Sequence, residues 1–184
     1  EKFIAEVIRI INEQKATMIV EHIQYHILED TYSSDIFTKN QMILPAYMTP
    51  IRDDGKPLQK HIYDFLTADS TVERNLAKEL DNSAEVVVYA KLPGGFTIPT
   101  PVGSYNPDWA IAFKEGSVKH VYFVAETKGT LSDMHLKKIE KAKIDCAEKF
   151  FLSLGAKDTQ YHVTYRQVAT YTDLMNMANS ESRD

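Results

Sequence analysis

Asn106-Pro107-Asp108-Trp109-Ala110-Ile111-Ala112-Phe113 and Val121-Tyr122-Phe123-Val124-Ala125-Glu126-Thr127-Lys128-Gly129 decide how this chain reads. Both runs are short, apolar and rich in aromatic or β-branched residues, the composition of buried strands. Lys114-Glu115-Gly116-Ser117 lies between them and supplies turn residues. The pattern predicts a hairpin entered through Pro107-Asp108 and left through Glu126-Thr127-Lys128. Side chains alternate across a strand, so Glu126 and Lys128 share a face with Tyr122 and Val124, while Val121, Phe123 and Ala125 take the other. A hairpin also sets the start of its first strand beside the end of its second. Asp108 is therefore expected near Glu126 and Lys128, placing two carboxylates and one ammonium at one end of a sheet.

That grouping has a chemistry. Two carboxylates held together repel each other unless a cation lies between them. Mg²⁺ is bound by one or two carboxylates plus waters and phosphate oxygens. A metal in that position polarises a phosphodiester and lowers the pKa of a bound water. The lysine orients the water or offsets charge on the phosphorane. Pro-Asp, seventeen intervening residues and Glu-x-Lys resembles the signature of the Pro-Asp…Asp/Glu-x-Lys nuclease superfamily. The same letters also fit a plainer arrangement, in which Asp108 caps a turn and Glu126 and Lys128 form a solvated strand-end pair.

With 184 residues, 43% hydrophobic and 26% charged, the chain suits one domain, or a domain with an appendage, around a substantial core. Its apolar runs fall far short of the roughly 20 residues that a membrane-spanning helix needs, and no signal peptide is read. No membrane partner is expected. A lone cysteine, Cys146, rules out an internal disulfide framework and fits a reducing, cytoplasmic setting. The chain opens on Glu1 in mid-helix by its pattern and reads as a fragment of a larger protein. A net charge of −5 argues weakly against nucleic acid, but its distribution matters more. Residues 91–143 hold eight Lys against five Asp or Glu. Three of those acids, Asp108, Glu126 and Asp133, lie at or near the expected metal. The remainder of that stretch is a phosphate track or a solvated charged face.

Along the chain, Phe3, Ile4, Val7, Ile8 and Ile11 recur at helical spacing and predict an amphipathic helix over 2–14. Lys15 to Leu28 alternates like a strand, with His22 and His26 on its solvated side. Their spacing would suit a zinc site only on a helix with an intervening glutamate. Residues 30–60 look irregular and contain the best domain boundary, giving an appendage over 1–55 and a catalytic unit over 56–184. Ser70-Thr71-Val72-Glu73 opens a helix to about Leu80 whose buried stripe is Val72, Leu76 and Leu80. Glu73 either completes a capping box there or supplies a further carboxylate near the metal. A strand over 85–92 and a Pro- and Gly-bearing loop over 96–107 deliver the chain to Asp108. A helix over about 133–154, stopped by Gly155, and a strand over 160–168 follow. On that helix Leu136, Ile139, Cys146, Phe150 and Leu154 share one face, and Lys143 falls among them. Lys143 is thereby either a lysine whose stem covers the core or a contact to the scissile phosphate. The fold class is α/β, a mixed sheet between helices in the order αβββαβ, with an N-terminal α+β appendage.

That order, with Pro107-Asp108 and Glu126-x-Lys128 at strand ends, resembles the restriction-endonuclease-like core. More closely, the run from Ile98-Pro99-Thr100-Pro101 through Tyr105-Asn106-Pro107-Asp108-Trp109-Ala110, followed by Glu126-Thr127-Lys128-Gly129, resembles the C-terminal nuclease region of type III restriction enzyme Res subunits. Asp69-Ser70-x-x-Glu73 and Lys143-Ile144-Asp145-Cys146-Ala147 with Phe150-Phe151 resemble it as well. The resemblance implies Mg²⁺-dependent cleavage of double-stranded DNA, with Asp108 and Glu126 as metal ligands, Lys128 as the catalytic lysine and Glu73 as an accessory carboxylate. It implies an upstream helicase part, which alone would use ATP, and a modification methyltransferase subunit as partner. No Gly-x-x-x-x-Gly-Lys-Ser/Thr phosphate loop occurs in this chain. A DNA- or subunit-binding module without cleavage and a RecB-like nuclease of genome maintenance are the competing readings. Intact Asp108, Glu126 and Lys128 favour an enzyme, and the Ser104-Tyr105-Asn106-Pro107-Asp108 context favours the restriction family.

Overall fold

The computed structural model describes residues 2–26, 51–66, 68, 70–114, 120–125, 134–155, 162–168 and 170–181. Four strands form its sheet: β1 (Val86–Lys91), β2 (Trp109–Phe113), β3 (His120–Ala125) and β4 (His162–Gln167). They lie side by side in chain order, β1 antiparallel to β2, β2 antiparallel to β3, and β3 parallel to β4. The helices are α1 (Lys2–His22), α2 (Thr71–Asn82), α3 (Met134–Gly155) and α4 (Tyr171–Glu181). Two parallel neighbours cannot be joined by a tight turn, and α3 makes the crossover from β3 to β4.

Each face of the sheet has its own core. Trp109, Ile111 and Phe113 alternate along β2 and pack with Tyr89 of β1, Leu76 and Leu80 of α2, and Leu174 of α4. On the other face Ala147 and Phe151 of α3 meet Tyr165 of β4, Ile98 and Tyr105. Helices thus cover both sides, and the architecture is mixed α/β. Phe151 stacks on Tyr165 with centroids 5.5 Å apart. The Tyr165 and Tyr105 hydroxyls meet at 2.7 Å.

The loop after β1 is tied down. Ile98 and Tyr105 exchange backbone hydrogen bonds of 2.7 and 2.9 Å. The reversal between them closes on Gly103, whose φ of 112° an L side chain would strain. Asn106 Nδ2 donates to the Phe96 carbonyl at 2.7 Å. Pro107-Asp108 is therefore presented from a braced hairpin.

The structure departs from several expectations. Lys15–His22 is helical, not extended: α1 runs unbroken from Lys2 to His22. No Gly or Pro separates the two halves of α1, and a short apolar run fits both periods. Lys149 of α3 donates to the Val20 and Glu21 carbonyls at 2.6 and 2.7 Å, closing the helix C-terminus. His22 ends α1 and His26 lies beyond it; both are exposed. Among the described residues of the appendage, Lys2–His22 is helical and no strand occurs. In α2 the buried stripe is Glu73, Leu76, Ala77 and Leu80, whereas Val72 stands 44% exposed. The cap forms as expected, with the Ser70 hydroxyl accepting from the Glu73 amide at 3.1 Å, but the Glu73 side chain turns inward. Finally, α4 has no counterpart in the sequence reading. Its signal was present in Thr170-x-x-Asp173, where each side chain accepts the other's amide at 3.1 Å in a reciprocal capping box.

Candidate active site

The strand registers bring three strand ends together at one edge of the sheet. Lys91, the last residue of β1, lies opposite Trp109, the first of β2. Trp109 in turn lies opposite Val124, one residue before β3 ends. Asp108 therefore enters the sheet where β1 and β3 leave it, and its carbonyl accepts the Leu92 amide at 2.8 Å. The first turn of α2 arrives at the same edge, because Glu73 Oε2 lies 2.8 Å from Lys91 Nζ. Glu126 and Lys128 lie outside the described residues, as does Asp133.

Glu73 opens the buried face of α2 at its first turn, and its side chain is 1% exposed. A carboxylate so placed stays charged only with cationic or N–H partners. The Lys91 ammonium supplies such a partner to Oε2. Ser70 caps the helix, and Glu73 Oε2 accepts from the Lys91 ammonium at 2.8 Å.

Asp108 is half-buried. Its charge is felt on the α3 side of the sheet, at Tyr105 and Tyr165. Burial is the main cause that pushes both hydroxyls above the ordinary tyrosine range, and the Asp108 carboxylate adds to it. Glu140 of α3 acts on Tyr105 in the same way. Lys143 lies one turn beyond Glu140, on the stripe that carries Ile144, Ala147 and Phe151 against the sheet. It is half-buried and forms no ion pair among the described residues. The sequence puts Phe150 on that face, whereas the structure buries Ala147 and Phe151 and leaves Phe150 partly buried beside them. The distance from Lys143 to Glu126 lies outside the described residues.

Two residues at this edge escaped the sequence reading. Lys91 is one: it ends an apolar run, Val86-Val87-Val88-Tyr89-Ala90-Lys91, on the side of the strand that carries the buried Tyr89. His61 is the other. It is buried, bridges to Tyr89 as a short parallel addition to the edge of β1, and its Nε2 accepts the Lys91 amide at 3.2 Å. That bond requires an unprotonated Nε2. Burial holds the imidazole below its ordinary pKa, against the opposing pull of the Tyr63 backbone and the Asp81 charge. Among the described residues no group of three or more His, Cys, Asp or Glu side chains clusters as a metal site.

A buried acid on the first turn of α2 and the residue that enters β2 thus lie toward the same end of the sheet. The chain belongs to the endonuclease-domain family, whose model matches residues 59–171. Within it, the chain is similar to two curated relatives. These are the Res subunit of the type III restriction-modification enzyme EcoPI of Escherichia phage P1 and that of EcoP15I of Escherichia coli. Each is 30% identical over 112 residues, which is 59% of this chain and 11% of the relative. The chain thus spans about a tenth of the length of these relatives. The likeness to the nuclease region of type III Res subunits, read from the Pro107-Asp108 motif, holds. No solved structure matches.

Proposed function

We propose that this chain is the Mg²⁺-dependent endonuclease domain of a type III restriction-modification system and hydrolyses phosphodiester bonds of double-stranded DNA. The observation that carries the reading is the meeting of Glu73, Lys91 and the Asp108 backbone at one sheet edge. Over residues 71–167 the described elements read α2, β1, β2, β3, α3, β4, and we equate them with the αβββαβ core. Residues 1–55 are assigned to the connection with an upstream helicase part and 56–184 to the endonuclease. Ile51 and Arg52, just before that division, already pack on the α2 side.

The donor set suits a hard divalent cation, since Glu73 and Asp108 offer carboxylate oxygens. In this reading Asp108 and Glu126 are the metal ligands and Glu73 is an accessory carboxylate. Such an ion, when bound, polarises the phosphodiester and activates water. Lys128 orients the attacking water and offsets charge on the phosphate, and Lys143 holds a substrate phosphate oxygen. ATP use belongs to the helicase part, recognition of the site to a modification methyltransferase subunit, and the DNA substrate places the assembly in the cytoplasm.

The test uses the complete subunit with its partner. Asp108→Ala or Glu126→Ala should lower cleavage at least ~100-fold, the scale of several kcal/mol of lost transition-state stabilisation. ATP hydrolysis should persist. Cleavage by Asp108→Ala at the wild-type rate would overturn the assignment.

A further inference from the structure

The ion pair between Glu73 and Lys91 invites a reason for its existence. Both partners are withdrawn from water, with side chains 1% and 20% exposed at a separation of 2.8 Å. Pairs of this kind repay their desolvation poorly, and apolar replacements of similar volume are often as stable or more so. Their surroundings here are apolar: Lys91 faces Trp109 across the sheet, and Glu73 is flanked on α2 by Leu76 and Ala77. A requirement of folding alone would have been met by packing. Its place at the edge where Asp108 enters suggests a task for the charge.

We propose that Lys91 is a positioning residue that acts as the resident counter-ion of Glu73 and competes with a divalent cation for its carboxylate. The inference rests on the proposed site and adds Lys91 to it. The lysine is built for this exchange. Its backbone is fixed by the β1–β2 pairing and by the His61 bond to its amide, so only its side chain has to move. An ammonium on a four-carbon stem is a compact charge that reorients by rotamer changes. Its residual exposure leaves a way to water. While paired, Lys91 keeps the Glu73 carboxylate aimed at the edge. Once a cation of higher charge takes the carboxylate, the ammonium is released to solvent or to a nearby phosphate oxygen.

Two measurements on the 184-residue chain test this. First, amine-reactive labelling of Lys91, read by mass spectrometry, should rise severalfold when Mn²⁺ is added to the wild type; this needs no variant to fold. Second, Mn²⁺ titration calorimetry should show K91M binding at least fivefold tighter than the wild type. K91R should bind like the wild type, and K91M/E73Q should match E73Q, because without the carboxylate there is nothing to compete for. Unchanged labelling, or K91M affinity equal to or weaker than wild type while Asp108→Ala abolishes binding, would remove Lys91 from this role and leave the site standing. Wild-type Mn²⁺ affinity in Asp108→Ala would sink the site and this inference with it.

Discussion

Helix α2 carries a buried carboxylate at each end, and the two are held by different kinds of partner. Asp81, 2% exposed, accepts the Gln59 and Lys60 amides at 2.8 and 2.9 Å and the Arg52 guanidinium at 3.2 Å. Glu73, 0% exposed, meets the Lys91 ammonium. Backbone amides cannot leave without unfolding the segment that bears them, so Asp81 is committed to fastening 51–60 onto α2. A lysine side chain can leave. The same residue chemistry, similarly buried, thus serves architecture at one end and exchange at the other.

The largest expected effect on stability is at the architectural end. Asp81→Ala strands two amides and removes one of the two carboxylates on the Arg52 guanidinium, which keeps Asp54, and should cost roughly 3–5 kcal/mol in urea unfolding. Leu80→Ala, beside it at 0% exposure, should cost about 2–5 kcal/mol by opening a cavity. At the other end Glu73→Gln keeps the shape and should cost no more than about 1–2 kcal/mol, while strongly lowering cleavage by the complete subunit. If Glu73→Gln destabilises the fold as much as Asp81→Ala, the contrast between the two ends is false. A smaller effect is expected at the far helix, where Thr170→Ala removes the α4 cap at about 1 kcal/mol.

The last expected effect depends on pH. His61 is held neutral by burial, so its folded pKa lies below the unfolded value of about 6.5. The unfolded chain then binds the proton first as pH falls. Stability on this account is complete above about pH 6.5 and declines below it. Replacing His61 by Gln should flatten that acid-side slope in denaturant titrations at successive pH values. An unaltered slope would mean that His61 is not the responsible group.

Much of this was legible in the sequence, because its signals are local. Short apolar, β-branched and aromatic runs marked β1 and the β2–β3 hairpin, Ser70-x-x-Glu73 the start of α2, and Gly155 the end of α3. Errors arose where one run of letters fits two periods, as in Lys15–His22, where tertiary contacts from Lys149 accompany the helix. The inward turn of Glu73 was half visible. Its partner was not, because Lys91 is eighteen positions away and only the sheet brings it there. His61 was hidden for the same reason, since it is a strand-edge neighbour of Tyr89 across 28 residues of chain.

The central claim is that the edge shared by α2, β1 and β2 holds a divalent cation. Crystals grown with saturating Mn²⁺ and measured at its absorption edge test it directly. The account predicts an anomalous peak within about 2.5 Å of an Asp108 carboxylate oxygen, with Lys91 Nζ withdrawn from Glu73. Ordered Asp108 and Glu73 side chains with no anomalous density between them, and Lys91 still in place, would contradict it.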